Sequence, residues 1–127
     1  MKNAGANTIL LLDDDPVALN YGKGILQNAG YRVIPARDAL QGKTIIDTMP
    51  DIDMIVTDNQ MPGMTGLELA EILYMEHKKL PMIMVSSDLP ESVIKTGQRF
   101  GIRGFLEKPY SESSLSGLTR MVIHDSE

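Results

Sequence analysis

The sequence predicts a doubly wound α/β fold, with five parallel strands in the order 2-1-3-4-5 and helices on both faces. Short apolar runs alternate with segments of helical periodicity, the pattern of βα units feeding a parallel sheet. Three runs (near residues 8–12, 53–57 and 82–85) are almost wholly apolar, as strands covered on both faces should be. Two others, near 31–34 and 104–107, are mixed or charged and read as edges. That pattern suits the flavodoxin-like order, in which ligands sit outside the carboxyl ends of the strands.

Each element has its own signal. The first strand is Thr8 to Leu12. Pro16, with its fixed φ and missing N–H, suits the first turn of helix 1. The inward stripe of that helix reads Ala18, Tyr21, Gly22, Ile25, Leu26 and Ala29. Gly22 on this stripe suggests close approach to the sheet, whereas Gly24 has no such reason. Gly30 stops the helix, and Tyr31 to Ile34 form strand 2. Helix 2 runs from about Asp38, with Ala39, Gly42, Ile46 and Met49 on one face. Strand 3 is Asp53 to Thr57. Helix 3 spans about Gly66 to His77 and buries Leu69, Ala70 and Leu73. Strand 4 is Met82 to Val85. Helix 4 follows Pro90 with Val93, Gly97 and Phe100 in register. Strand 5 is Gly104 to Glu107, and helix 5 starts at a Ser111/Ser113 cap with Leu115, Leu118 and Val122 inward.

Composition narrows the function. The 127 residues make one domain, with 43% hydrophobic and 23% charged residues. No stretch approaches the roughly 18 apolar residues of a membrane span. The N-terminus, Met1 to Asn7, has no apolar core of a secretory signal. With no cysteine there is neither a disulfide nor a thiolate zinc site, which fits a cytoplasmic protein. A net charge of −5 argues against direct nucleic-acid binding. His77 and His124 lie far apart without a companion at metal-ligand spacing and read as surface helix residues. Nine methionines against four tyrosines and two phenylalanines suggest an adaptable core.

The chemistry is concentrated at the strand ends. Asp13-Asp14-Asp15, Asp58, Ser86 and Lys108-Pro109 each close an apolar run, so an acidic cluster, a hydroxyl and an amine converge on one small site. Magnesium takes hard oxygen ligands and is commonly held by one or two carboxylates plus phosphate oxygens. Such a cluster can offer that environment. One Asp is enough to cap helix 1; three in a row beneath a buried strand ask for a further role. A strand-terminal carboxylate beside a metal can act as a nucleophile in aspartyl-phosphate chemistry. Ser86 or Lys108 alone signals little, and their joint placement gives them weight.

Taken together, Leu-Leu-Asp-Asp-Asp-Pro, Asp58-x-x-Met61-Pro62-x-x-x-Gly66, Val85-Ser86-Ser87 and Lys108-Pro109-Tyr110 resemble the response-regulator receiver domains of two-component signalling. The resemblance covers about Thr8 to Ile123 and implies a single receiver domain over residues 1–127. It implies that Asp58 accepts a phosphoryl group from a sensor histidine kinase or a histidine phosphotransfer protein. It also implies that Asp14 and Asp58 bind Mg²⁺ (or Mn²⁺) directly, Asp13 through water, and Gln60 through its backbone carbonyl. Lys108 is expected to pair with phosphoryl oxygens and to precede a cis bond to Pro109. Ser86 is expected to move toward the phosphoryl group and Phe105 to turn inward. The surface of helix 4, strand 5 and helix 5 is then expected to carry the signal to an output partner or output domain. Ser86 stands where threonine is commoner, Ser87 where alanine or glycine is usual, and Phe105 where tyrosine is frequent. Gln60 and Asp88 flank the entrance where the family tunes dephosphorylation.

Two rival readings are weaker. Asp13-x-Asp15-x-Val17 after an apolar strand satisfies the first motif of haloacid-dehalogenase-type phosphohydrolases, with Asp13 as nucleophile. That family needs a late acidic pair on a further strand after its lysine, and only one helix and Asp125 follow Lys108. A receiver-like interaction module that is never phosphorylated would lack the acids or the lysine, and all are present.

Overall fold

The computed structural model describes residues 7–126; the reading of the N-terminus made above falls mostly outside them. The chain alternates β1 (Thr8–Leu12), α1 (Pro16–Asn28), β2 (Arg32–Ala36), α2 (Ala39–Thr48), β3 (Met54–Asp58), α3 (Gly66–Met75), β4 (Met82–Ser86), α4 (Glu91–Arg99), β5 (Ile102–Glu107) and α5 (Glu112–Asp125). The strands form one parallel sheet in the order β2-β1-β3-β4-β5, as the alternation of runs predicts.

Successive strand residues point to opposite faces, and the sheet therefore builds two cores. Leu10, Leu12, Ile55, Met82 and Met84 join Ala39 and Ile46 of α2 and Leu69, Ala70 and Leu73 of α3. Ile9, Leu11, Met54, Val56, Ile83 and Val85 join Leu19, Ile25 and Leu26 of α1 and Leu115, Val122 and Ile123 of α5. β1, β3 and β4 are buried along their whole length. This double cover holds their carboxyl ends in fixed register.

Several boundaries and faces differ from the sequence reading. Tyr21 is 51% exposed and Ala29 is exposed, while Leu19 completes the buried stripe of α1. The Tyr21 ring leans sideways onto Tyr110, and its hydroxyl donates to the Tyr110 carbonyl at 3.1 Å. Met49 is the exposed C-cap of α2, not a core residue. β2 starts and ends later than its apolar pattern suggested and runs through Pro35, which an edge strand tolerates because it need not donate on its open side. β5 begins at Ile102, with a register irregularity beside Met82/Ile83 that carries Arg103 outward. α3 ends at Met75, so His77 lies beyond the helix with φ +59°. Gly30 (φ +100°) does terminate α1. Nothing in the structure explains Gly24, which has open space around it.

Candidate functional site

The ends of β1, β3, β4 and β5 bring together Asp13, Asp14, Asp58, Ser86 and Lys108. Asp13 and Asp58 are buried, Asp14 is partly exposed and Ser86 is fully buried. One oxygen from each of Asp13, Asp14 and Asp58 falls within a group whose members all lie within 4.8 Å of one another. These are hard oxygen donors at a spacing a small divalent cation can bridge, so the donor set fits magnesium.

Hydrogen bonds fix the two buried carboxylates. Asp58 Oδ1 accepts the Gln60 N–H at 3.1 Å, and Asp13 Oδ1 accepts the Asp15 N–H at 3.0 Å. Their other oxygens share one cation: Lys108 Nζ donates to Asp13 Oδ2 at 2.8 Å and to Asp58 Oδ2 at 3.1 Å. Lys108 N–H in turn donates to the Ser86 carbonyl at 2.8 Å, which anchors the lysine backbone to the end of β4. The Lys108–Pro109 peptide is cis. The capping role for α1 falls to Asp15, whose side chain accepts the Val17 N–H. Asp14 makes no such bond, so its place at the rim is not that of a cap.

Burial pushes the Asp58 carboxyl above its ordinary value of 3.8, while the Gln60 amide and Lys108 oppose the push. Burial also works against the charge on Lys108, but the bonds to Asp13 and Asp58 outweigh it, and the ammonium is held above 10.5. The lysine therefore stays charged throughout the neutral range.

The loop after Asp58 is built on close backbone contact. Gly66 N–H donates to the Asn59 carbonyl, and the Asn59 side chain accepts the Leu67 N–H at 2.9 Å. A Cβ on Gly66 would run into the Asp58 carbonyl oxygen and come within 3.2 Å of Asn59 Cα. Met61 is buried in the core below, while Pro62 is exposed at the turn. Asn59 and Thr57, whose hydroxyl donates to the Asp58 carbonyl at 2.8 Å, escaped the sequence reading. A polar residue on each side of a strand-end acid was their only signal. At the rim, Ser87 Oγ lies 3.5 Å from Gln60 Oε1, and Ser86 Oγ accepts the Asp88 N–H at 3.3 Å. Phe105 is half-buried, with its ring against α4.

A family model described as the response regulator receiver domain matches residues 9–120. The chain is 32% identical over 116 residues to a putative two-component response regulator of Arabidopsis thaliana, ARR21, covering 91% of this chain but 19% of that protein. It is 30% identical over 125 residues to the two-component response regulator ORR5 of Oryza sativa subsp. japonica, covering 97% of this chain and 93% of that one. In fold it is similar to a CheY-like receiver domain protein from Methanospirillum hungatei JF-1, with a TM-score of 0.89 at 24% identity over 96% of this chain and 97% of the other. The chain belongs to the response regulator receiver domain family. That family is regulatory, serving phosphorylation-based two-component signalling. Among the described residues, no helix is long and apolar enough to cross a membrane.

Proposed function

We propose that residues 1–127 form one receiver domain, with its core over 8–123, that acts as a phosphorylation-dependent switch in the cytoplasm. Asp58 takes its phosphoryl group from a phosphohistidine on a sensor kinase or phosphotransfer protein. The observation that supports this reading is the shared grip of Lys108 on Asp13 and Asp58, beside a third carboxylate, at the ends of adjacent strands.

An Asp58 oxygen attacks phosphorus, the P–N bond breaks, and its electron pair stays on the donor imidazole. The product is a carboxylic–phosphoric anhydride. Asp14, Asp58 and the Gln60 carbonyl, with Asp13 through water, would hold Mg²⁺, which when bound would supply positive charge to the phosphoryl oxygens. Lys108 leaves its carboxylate partners for a phosphoryl oxygen, a charge-assisted contact. The added phosphoryl group brings roughly −1.5 to −2 charges. Ser86 turns its hydroxyl to it, and Phe105 follows inward. The altered surface of α4, β5 and α5 meets the output partner.

Intact mass after incubation with Mg²⁺ and a small acyl phosphate tests the acceptor. One phosphoryl group should add to the wild type and none to Asp58→Ala. Label that persists in the variant, or that maps to Asp13, refutes the assignment and favours the hydrolase chemistry. Denaturant melts test the metal. Mg²⁺ at about 100 times its dissociation constant should stabilise the wild type by about 2.7 kcal/mol and Asp14→Asn far less. Without metal, Asp14→Asn relieves like-charge crowding and should leave stability equal or higher. A loss above about 1 kcal/mol, the usual cost of a missing cap, would make Asp14 structural.

A further inference from the structure

Gly97 is the one fully buried residue of α4, and it faces β5. A Cβ placed on it would lie 2.8 Å from Phe105 Cζ, 3.0 Å from Phe105 Cε2 and 3.1 Å from Ile102 Cδ1. Contacts under 3.0 Å are not tolerated without a shift, so the ring edge occupies the space that any other residue at 97 would fill. Glycine is otherwise a poor choice inside a helix, costing stability relative to alanine. No turn requires it here, since Gly97 is not among the positive-φ glycines.

We propose that Gly97 is a positioning residue of the switch: its bare backbone forms the seat that receives the Phe105 ring against α4. This rests on the reading of Phe105 as the moving aromatic. The ring already lies in this seat while Lys108 holds Asp13 and Asp58, and the phosphorylated arrangement, with Ser86 drawn in, keeps it there. Because Gly97 belongs to α4 and Phe105 to β5, the same contact couples the two elements of the output face. The remaining contacts of α4 are slight enough to make that coupling matter. Val93 and Phe100 are only partly buried, and the helix start at Pro90 has no side-chain cap. A methyl group at 97 pushes the ring outward or lifts the helix, and either movement disfavours the phosphorylated arrangement. By linkage it must then weaken whatever ligand favours that arrangement.

The test uses Mg²⁺ with beryllium fluoride, a non-hydrolysing phosphoryl mimic, on four proteins: wild type, Gly97→Ala, Phe105→Ala and the double variant. Titrations followed by amide chemical shifts give the apparent affinity, and contacts between the Phe105 ring protons and Gly97 Hα report the seat. We expect Gly97→Ala to lose those contacts and to weaken the mimic by about fivefold, the low end for coupled sites. In the Phe105→Ala background the same change should alter affinity by less than about twofold, because no ring competes for the space. Denaturation midpoints serve as the structural control. Alanine is the better helix former, so helix propensity alone moves stability upward and cannot imitate a loss of affinity. An equal loss in both backgrounds, or none in either while the wild type binds, overturns the seat. A wild type that does not bind the mimic at Asp58 overturns the switch reading itself, and the role of Gly97 falls with it.

Discussion

α3 and α4 lie side by side on the same face of the sheet, yet they are held very differently. α3 opens on a capping box: Thr65 accepts the Glu68 N–H, and the Glu68 side chain accepts the Thr65 N–H. It buries Gly66, Leu69, Ala70 and Leu73. Its far end is clasped to α2, with Lys43 Nζ 2.8 Å from Asp47 and 3.1 Å from Glu76 just past the helix. α4 has no side-chain cap and buries Gly97 alone, and its ion pair, Lys95–Glu91 at 3.5 Å, is exposed and internal to the helix. The difference sets a firmly anchored helix beside a thinly anchored one. α3 braces the loop that shapes Asp58, whereas α4, uncapped and with little buried surface, has the features of segments that open locally at low cost.

The largest way to break this contrast is at Gly66. Its neighbours are backbone atoms of Asp58 and Asn59, which cannot swing aside as a ring edge can. Gly66→Ala should cost about 1–3 kcal/mol of overpacking in a urea titration and slow phosphorylation by displacing Asp58. Unchanged stability would show that the loop is pliant and the contrast false.

A smaller effect is expected from Thr65→Ala, about 1 kcal/mol for the lost cap. Amide hydrogen exchange sharpens the point: α4 should exchange faster than α3 in the wild type, and this variant should narrow the gap. Exchange that is equal at the outset would remove the basis of the comparison.

The smallest effect should come from the clasp. The Lys43 hydrogen bond holds Asp47 below its ordinary value of 3.8, and the Asp47 and Glu76 bonds hold Lys43 above 10.5. A lowered acid contributes stability above its unfolded pKa and loses it as pH falls through the folded one. A raised lysine contributes below 10.5 and loses it as pH rises. The clasp therefore acts in full between about 3.8 and 10.5, weakly because its two acids are solvent-exposed. Asp47→Asn should lower the denaturation midpoint slightly at neutral pH and match the wild type well below 3.8. A gap that persists in acid would assign the effect to packing.

The legibility of the sequence follows the same division. β1, β3 and β4 were readable because burial on both faces leaves their residues almost no choice but to be apolar, and strand order followed from the charges on the two edge strands. The acids, Ser86 and Lys108 were readable from their places at strand ends, and the structure brings them together. The misses are residues whose surroundings arise only in three dimensions. Tyr21 fits an apolar stripe by spacing, but its ring serves Tyr110 across the surface. The sequence reading of strand 2 ends at Ile34, one residue short of Pro35, which belongs to the strand because an edge need not donate on its open side. Gly97 looked like one apolar-face glycine among others until the Phe105 ring was found in the space of its missing side chain. Thr119, fully buried with no hydrogen-bond partner for its hydroxyl among the described residues, is a polar group that no pattern announces.

The two open margins of the sheet have a consequence for how copies of this chain can meet. An unpaired strand edge is a template for further strands, and proteins blunt it with charge and proline. β2 presents exposed Arg32 and Pro35, and β5 presents exposed Arg103 and Glu107. At the β2 margin a second copy in antiparallel pairing would find no N–H at Pro35 to join and would have to place its strand against exposed Arg32. Sheet-to-sheet growth into fibres is thus discouraged on the β2 side, while at β5 the exposed Arg103 and Glu107 keep the margin charged.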